Sequence, residues 1–199
     1  MEADHMRLLC MLGLSVSRMK HCNGKGRSML HLYTGDGKGK TSAAVGLAVR
    51  ALGHDRSVMF CQFMKDGRSG ELRILEKLRG VCMLHTPPMQ KWLFEMSEEE
   101  RRQILQQQTE TCRMIREKSE TEKPDIVILD ELATACSLGT VDEEEARNLV
   151  DTVSAIAETV VTGRDAPAWL WERADYLSDI HCVRHPYAKG MSAREGVEW

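Results

Sequence analysis

From Met29 onward, short apolar runs alternate with longer segments of helical periodicity. Leu30–Tyr33, Ser57–Phe63, Val81–His85, Ile126–Leu129, Thr159–Thr162 and Tyr176–Val183 read as strands. Residues 126–129 are continuously apolar, the pattern of a strand buried on both faces. Between the strands, Lys40–Leu52 is rich in Ala, Val and Leu and reads as a helix, and Glu71–Leu78 as another. Ser97 with Glu100 forms a capping box that opens a long helix. Along it Ile104, Gln108, Cys112 and Ile115 make a weak apolar stripe, and Pro124 closes the connection. Asp142, with Glu145 three residues later, caps a further helix, and Pro167 opens a short one. This rhythm predicts an α/β fold of three layers, a mostly parallel sheet with helices on both faces.

Length and composition narrow the class. The 199 residues, 42% hydrophobic and 29% charged, suit one globular unit with its own core. They exclude collagen, coiled coil and a fully disordered chain. No apolar run approaches the roughly 20 residues of a membrane span, and a net charge of -3 argues against a dedicated nucleic-acid binder. Residues 1–28 read as a flexible or helical extension ahead of a domain over 29–199. The apolar run Leu8–Val16 follows Glu2 and Asp4, the wrong charge for a signal peptide. Seven cysteines without a Cys-x-x-Cys pair suggest reduced thiols in a cytoplasmic protein. Charge is unevenly placed. Residues 29–94 hold ten basic and five acidic groups, net +5, and residues 95–145 hold six and fifteen, net -9. The basic stretch can attract an anionic ligand.

The strongest chemical signal lies in that stretch, at Thr34-Gly35-Asp36-Gly37-Lys38-Gly39-Lys40-Thr41. It follows a predicted strand and opens a predicted helix, the context of a phosphate-binding loop. Glycines let backbone amides converge on one point, and the helix N-terminus adds to the cradle. Lys40 supplies a point charge for phosphate, and Thr41 a hydroxyl for a divalent cation. Thr34 stands where the general pattern has glycine. Asp130-Glu131, at the end of the most apolar strand, matches the carboxylates that reach such a cation. Together they point to a nucleoside triphosphate bound with magnesium. The residues alone leave ATPase, kinase and rarer chemistries open.

An ordered set of motifs goes further. It runs from His31–Ala44 through Gln62-Phe63-Met64-Lys65, Val127–Leu132 and Thr162–Pro167 to His185-Pro186-Tyr187, Gly190 and Gly196-Val197-Glu198-Trp199. This set resembles the ATP:corrinoid adenosyltransferases of the CobA/BtuR/CobO type, a P-loop, RecA-like family, and Thr34 looks like that family's version of the loop. The resemblance implies transfer of the 5′-deoxyadenosyl group of ATP to Co(I) of a reduced corrinoid, with release of triphosphate. The corrinoid would be cobalamin, cobinamide or cobyrinic acid diamide. It implies ATP contacts from residues 34–41, Ser42 and Arg164, and Mg2+ or Mn2+ on Thr41, Asp130 and Glu131. It also implies roles for Trp92 and Phe94 in pushing away the lower cobalt ligand. The family pattern there is Phe-x-Trp, whereas this chain has Trp92-Leu93-Phe94. His185 reads as structural or corrinoid-lining. A homodimer and a reduced flavodoxin as electron donor follow only from the resemblance.

Overall fold

The computed structural model of the chain describes residues 28–65, 67, 69–89, 91 and 93–198. Six strands form one sheet: β1 (Leu30–Thr34), β2 (Val58–Gln62), β3 (Val81–His85), β4 (Ile126–Asp130), β5 (Glu158–Thr162) and β6 (Tyr176–Asp179). Their spatial order is β3-β2-β4-β5-β1-β6, and every pairing is parallel. The helices are α1 (Lys40–Leu52), α2 (Gly70–Leu75), α3 (Glu98–Glu122), α4 (Leu132–Ser137), α5 (Glu143–Ile156) and α6 (Ala168–Arg173).

Strand alternation divides the core in two. Val58, Phe60, Ile126, Ile128 and Val160 meet Ala44, Ala48 and Ala51 of α1 with Leu72 and Leu75 of α2. Met59, Cys61, Val127, Leu129 and Val161 face the other way, against α3, α4, α5 and α6. Small alanines on α1 let it lie close over the sheet. All five residues of β2 and of β4 are buried, as their apolar runs require, whereas β6 is an exposed edge.

Caps form where the sequence places them. Ser97 Oγ accepts from the Glu100 amide while the Glu100 carboxylate accepts from the Ser97 amide. That exchange and the cation of Lys91 hold the Glu100 carboxyl down at about 2, with the Lys91 bond the largest cause. Asp142 caps α5 through the Glu145 amide. Gln108, Cys112 and Ile115 are buried along α3, and Ile104 is half-buried.

Three expectations need correction. The last strand ends at Asp179 rather than Val183, because Ile180–Cys182 turn aside to bond the loop after β1. Pro167 is the N-cap of α6, one place before its first turn. Helix α4 begins immediately after β4, where the sequence pattern predicts no helix. The sheet itself is as expected, parallel at every pairing among the described residues.

The strand order fixes where a ligand can sit. From β1 the chain crosses to β2 on one side, and β6 returns beside β1 on the other. At such a reversal the crevice beyond the carboxyl ends of the strands is open.

Candidate active site

The loop after β1 lies in that crevice, ahead of α1. Gly39, at φ 122°, is the N-cap of α1, a conformation that excludes most side chains. Gly35 has φ 95°, and a Cβ there would sit 2.4 Å from the Ile180 carbonyl oxygen. The loop is thus seated against the chain leaving β6. The Gly37 amide donates to the Ile180 oxygen at 2.7 Å, and the Cys182 amide donates to the Asp36 carboxylate at 2.9 Å. That second bond is the chief reason the Asp36 carboxyl is held below its usual range. Lys40 is buried and donates to the carbonyls of Gly35, at 2.6 Å, and Gly37, at 2.8 Å. Burial lowers its pKa first, and the guanidinium of Arg164 lowers it further. Arg164 and Lys40 are therefore close enough to feel each other's charge, from different strand ends.

Beneath the start of α1, the last residues of three strands form a polar ladder. Asp130 is fully buried. Its Oδ1 accepts from Thr41 Oγ1 at 2.9 Å and from Thr162 Oγ1 at 2.7 Å. Its Oδ2 accepts from Gln62 Nε2 at 2.8 Å. Gln62 and Asp130 are paired in register across β2 and β4. Thr162 Oγ1 also accepts from the Glu131 amide at 2.9 Å. A buried carboxylate needs such donors, since an unpaired charge there would neutralise itself.

Glu131 opens α4 in a left-handed conformation, φ 62°. Left-handed backbone at a non-glycine residue costs on the order of 1–3 kcal/mol and persists only where its surroundings impose it. Met64 and Asp165, beyond β2 and β5, share it at φ 56° and 51°. All three lie at the crevice end of the sheet. Thr134 Oγ1 donates to Glu131 Oε2 at 2.5 Å and accepts from the Arg164 amide at 2.8 Å. Between them, Gly163 has no room for a side chain: a Cβ would lie 2.4 Å from the Thr134 nitrogen.

Lys40, Thr41, Asp130, Glu131 and Arg164 are thus brought to one end of the sheet by the loop and by the ends of β4 and β5. Thr34 is buried, and its carbonyl accepts from Ile180. Ser42 is exposed on α1. Lys38 turns outward, donating to the Val197 carbonyl at 2.7 Å and to the Glu198 carboxylate at 3.0 Å. His185 caps a short turn, its Nδ1 accepting from the Tyr187 amide. Phe94 is 77% exposed in the turn Leu93–Glu95, outside both core clusters. Trp92 lies outside the described residues, as do Trp199 and nearly all of the N-terminal extension. Gln62, Thr134 and Thr162 are the residues to which sequence reasoning assigned no role. Gln62 and Thr162 stand within the quoted motifs, but their convergence depends on register.

The oxygen set fits a hard divalent cation. Among the described residues no three His, Cys, Asp or Glu side chains form a metal cage. Magnesium characteristically takes one or two protein oxygens together with substrate phosphates, and the Thr41–Asp130 pair beside the loop is of that kind.

Sheet order, loop and buried carboxylate define an α/β nucleotide-binding protein of the phosphate-loop class. The comparisons carry this to a family. The profile of the ATP:corrinoid adenosyltransferases BtuR/CobO/CobP matches residues 26–199, and the chain belongs to that family. Proteins named corrinoid adenosyltransferase are similar to it along most of their length. That of Sinorhizobium sp is 28% identical over 176 residues, 87% of this chain and 81% of the relative. That of Pseudomonas aeruginosa is 28% identical over 174 residues, 87% and 84%. That of Escherichia coli (strain K12) is 29% identical over 174 residues, 87% and 86%. Among solved structures, the flagellar accessory protein FlaH of Methanocaldococcus jannaschii overlaps 75% of this chain and 69% of its own, with a TM-score of 0.47 and 11% identity.

Proposed function

We propose that this enzyme transfers the 5′-deoxyadenosyl group of ATP to the cobalt of a reduced corrinoid. The electron pair of Co(I) forms a bond to ribose C5′. The C5′–oxygen bond breaks, and triphosphate leaves with that bond's electrons. Cobalt is formally oxidised to Co(III). No general base is needed, because the nucleophile carries no proton. The protein's work is alignment of two bound reactants, worth roughly 7–11 kcal/mol when the geometry is right, and stabilisation of the departing anion.

The observation that carries this reading is the hydrogen bond from Thr41 to the buried Asp130 under the phosphate loop, in a chain of this family. Lys40 and the loop amides face the triphosphate, and Arg164 adds a second cation from the end of β5. Thr41, Asp130 and Glu131 would hold Mg2+ or Mn2+, which when bound neutralises charge on the leaving oxygens. Thr134 orients Glu131 by its short hydrogen bond, and Thr162 couples Asp130 to the Glu131 backbone. Trp92 and Phe94 are assigned to displacement of the lower cobalt ligand, which eases reduction to Co(I). The exposure of Phe94 supports a role at a bound ligand over one in the core. The acceptor is cobalamin, cobinamide or cobyrinic acid diamide, and reduced flavodoxin is the electron donor. The enzyme acts in the cytoplasm as a homodimer. No helix among the described residues is long and apolar enough to cross a membrane.

Anaerobic incubation with ATP, Mg2+ and cob(I)alamin tests this. The expected products are a light-sensitive organocobalt compound and one equivalent of inorganic triphosphate. Release of ADP and phosphate without the organocobalt product would favour ordinary phosphoryl transfer instead.

A further inference from the structure

Gln62 is only 5% exposed, and its Oε1 is buried without a hydrogen-bond partner among the described residues. The amide cannot exchange its two ends. Doing so would set Oε1 against Asp130 Oδ2, two acceptors with no hydrogen between them. The ionised carboxylate therefore fixes the amide, leaving a carbonyl oxygen that faces no donor among the described residues. A buried acceptor in this condition costs on the order of 1–3 kcal/mol. It stands in the ladder that holds Thr41 and Asp130, on the face of β2 turned toward α1.

We propose that Gln62 is a positioning residue for the cation that accompanies ATP. Its Nε2 pins one oxygen of Asp130 while Thr41 and Thr162 hold the other, and its Oε1 accepts a hydrogen from a water carried by that cation. This rests on the reading of Thr41 and Asp130 as the cation's surroundings. The magnesium water is a natural donor, because magnesium keeps several waters when bound. Partners of this indirect kind typically change metal affinity by about 10–100-fold.

The test uses the full chain with Mn2+ as the probe. Free Mn2+ is counted by electron paramagnetic resonance with ATP held below the enzyme concentration, against a control of the same ATP without enzyme, and ATP binding is measured separately in EDTA. Gln62→Met, similar in length and lacking both the amide N–H groups and the carbonyl oxygen, should weaken Mn2+ binding by about tenfold or more. Its affinity for ATP in EDTA should stay within about twofold of the parent. The Mn2+ concentration for half-maximal adenosylation should rise while kcat at saturating Mn2+ is largely restored. Should Gln62→Met fail to fold, Gln62→Asn, which keeps the amide on a shorter stem, should shift Mn2+ binding in the same direction. Unchanged Mn2+ affinity in a folded variant, whether or not its melting temperature falls, would overturn the proposal and make Gln62 a structural residue. If the parent itself bound no Mn2+ with ATP, the wider reading of the site would fall first, so the two failures are distinct.

Discussion

Lys40 sits where its charge is least well solvated, buried among the carbonyls of its own loop and near a second cation. That arrangement favours an incoming polyanion over the solvent it replaces. Lys40→Ala should leave the chain folded by circular dichroism, because its bonds are confined to the loop. It should lower adenosylation by about 100-fold or more. Thr162 has a different job. Its hydroxyl donates to Asp130 and accepts from the Glu131 backbone. Thr162→Val keeps the shape and removes both bonds, so it should cost about 1–3 kcal/mol in denaturant unfolding. It should also weaken cation-dependent ATP binding. Lys40, Thr41 and Asp130 were legible in the sequence because the loop motif and the apolar strand announce them. Gln62, Thr134 and Thr162 were not, since a polar residue ending a strand is ordinary. Their role follows from which strand ends come to lie side by side.

Elements carry a second group of expectations. Helix α4 approaches the end of β5 so closely that Gly163 is required, with φ 147° and the Thr134 nitrogen in the space of a side chain. Gly163→Ala must push α4 away, and it should destabilise the fold by roughly 2–4 kcal/mol by chemical denaturation. The C-terminal turn is tied down by charge. Arg194 and then Lys38 hold the Glu198 carboxyl at about 2, below its ordinary value. A depressed carboxyl stabilises above its unfolded pKa and loses that contribution as pH falls through its folded one. Melting temperatures of the parent should therefore exceed those of Glu198→Gln above about pH 4.5 and converge with them toward pH 2. Most elements were legible because their apolar period was clear. Helix α4 was not, being six residues long and entered through a left-handed glutamate. The overlong reading of β6 failed because Ile180 and Cys182 continue an alternating apolar pattern while their backbone serves the loop.

At the scale of the whole molecule, the uneven charge along the chain gains a meaning. The net +5 stretch contains the loop that would meet a triphosphate, and the net -9 stretch contributes Asp130 and Glu131 to the same crevice. Parallel strands bring these distant segments to one end of the sheet, so a nearly neutral protein presents a polar site of mixed charge in which Lys40 and Arg164 stand beside Asp36, Asp130 and Glu131. The aromatic residues extend the account to the corrinoid. Trp92→Ala with Phe94→Ala should slow the reaction that starts from Co(II) far more than the one supplied with Co(I). Equal loss in both assays would assign those side chains to packing. In the proposed reaction C5′ of ATP becomes bonded to cobalt. That bond is tested most directly with ATP carrying carbon-13 at C5′, incubated anaerobically with the enzyme and cob(I)alamin. Nuclear magnetic resonance of the corrinoid should show the label bound to cobalt, with inorganic triphosphate as the other product. Label remaining in ADP, with the corrinoid unlabelled, would contradict the account.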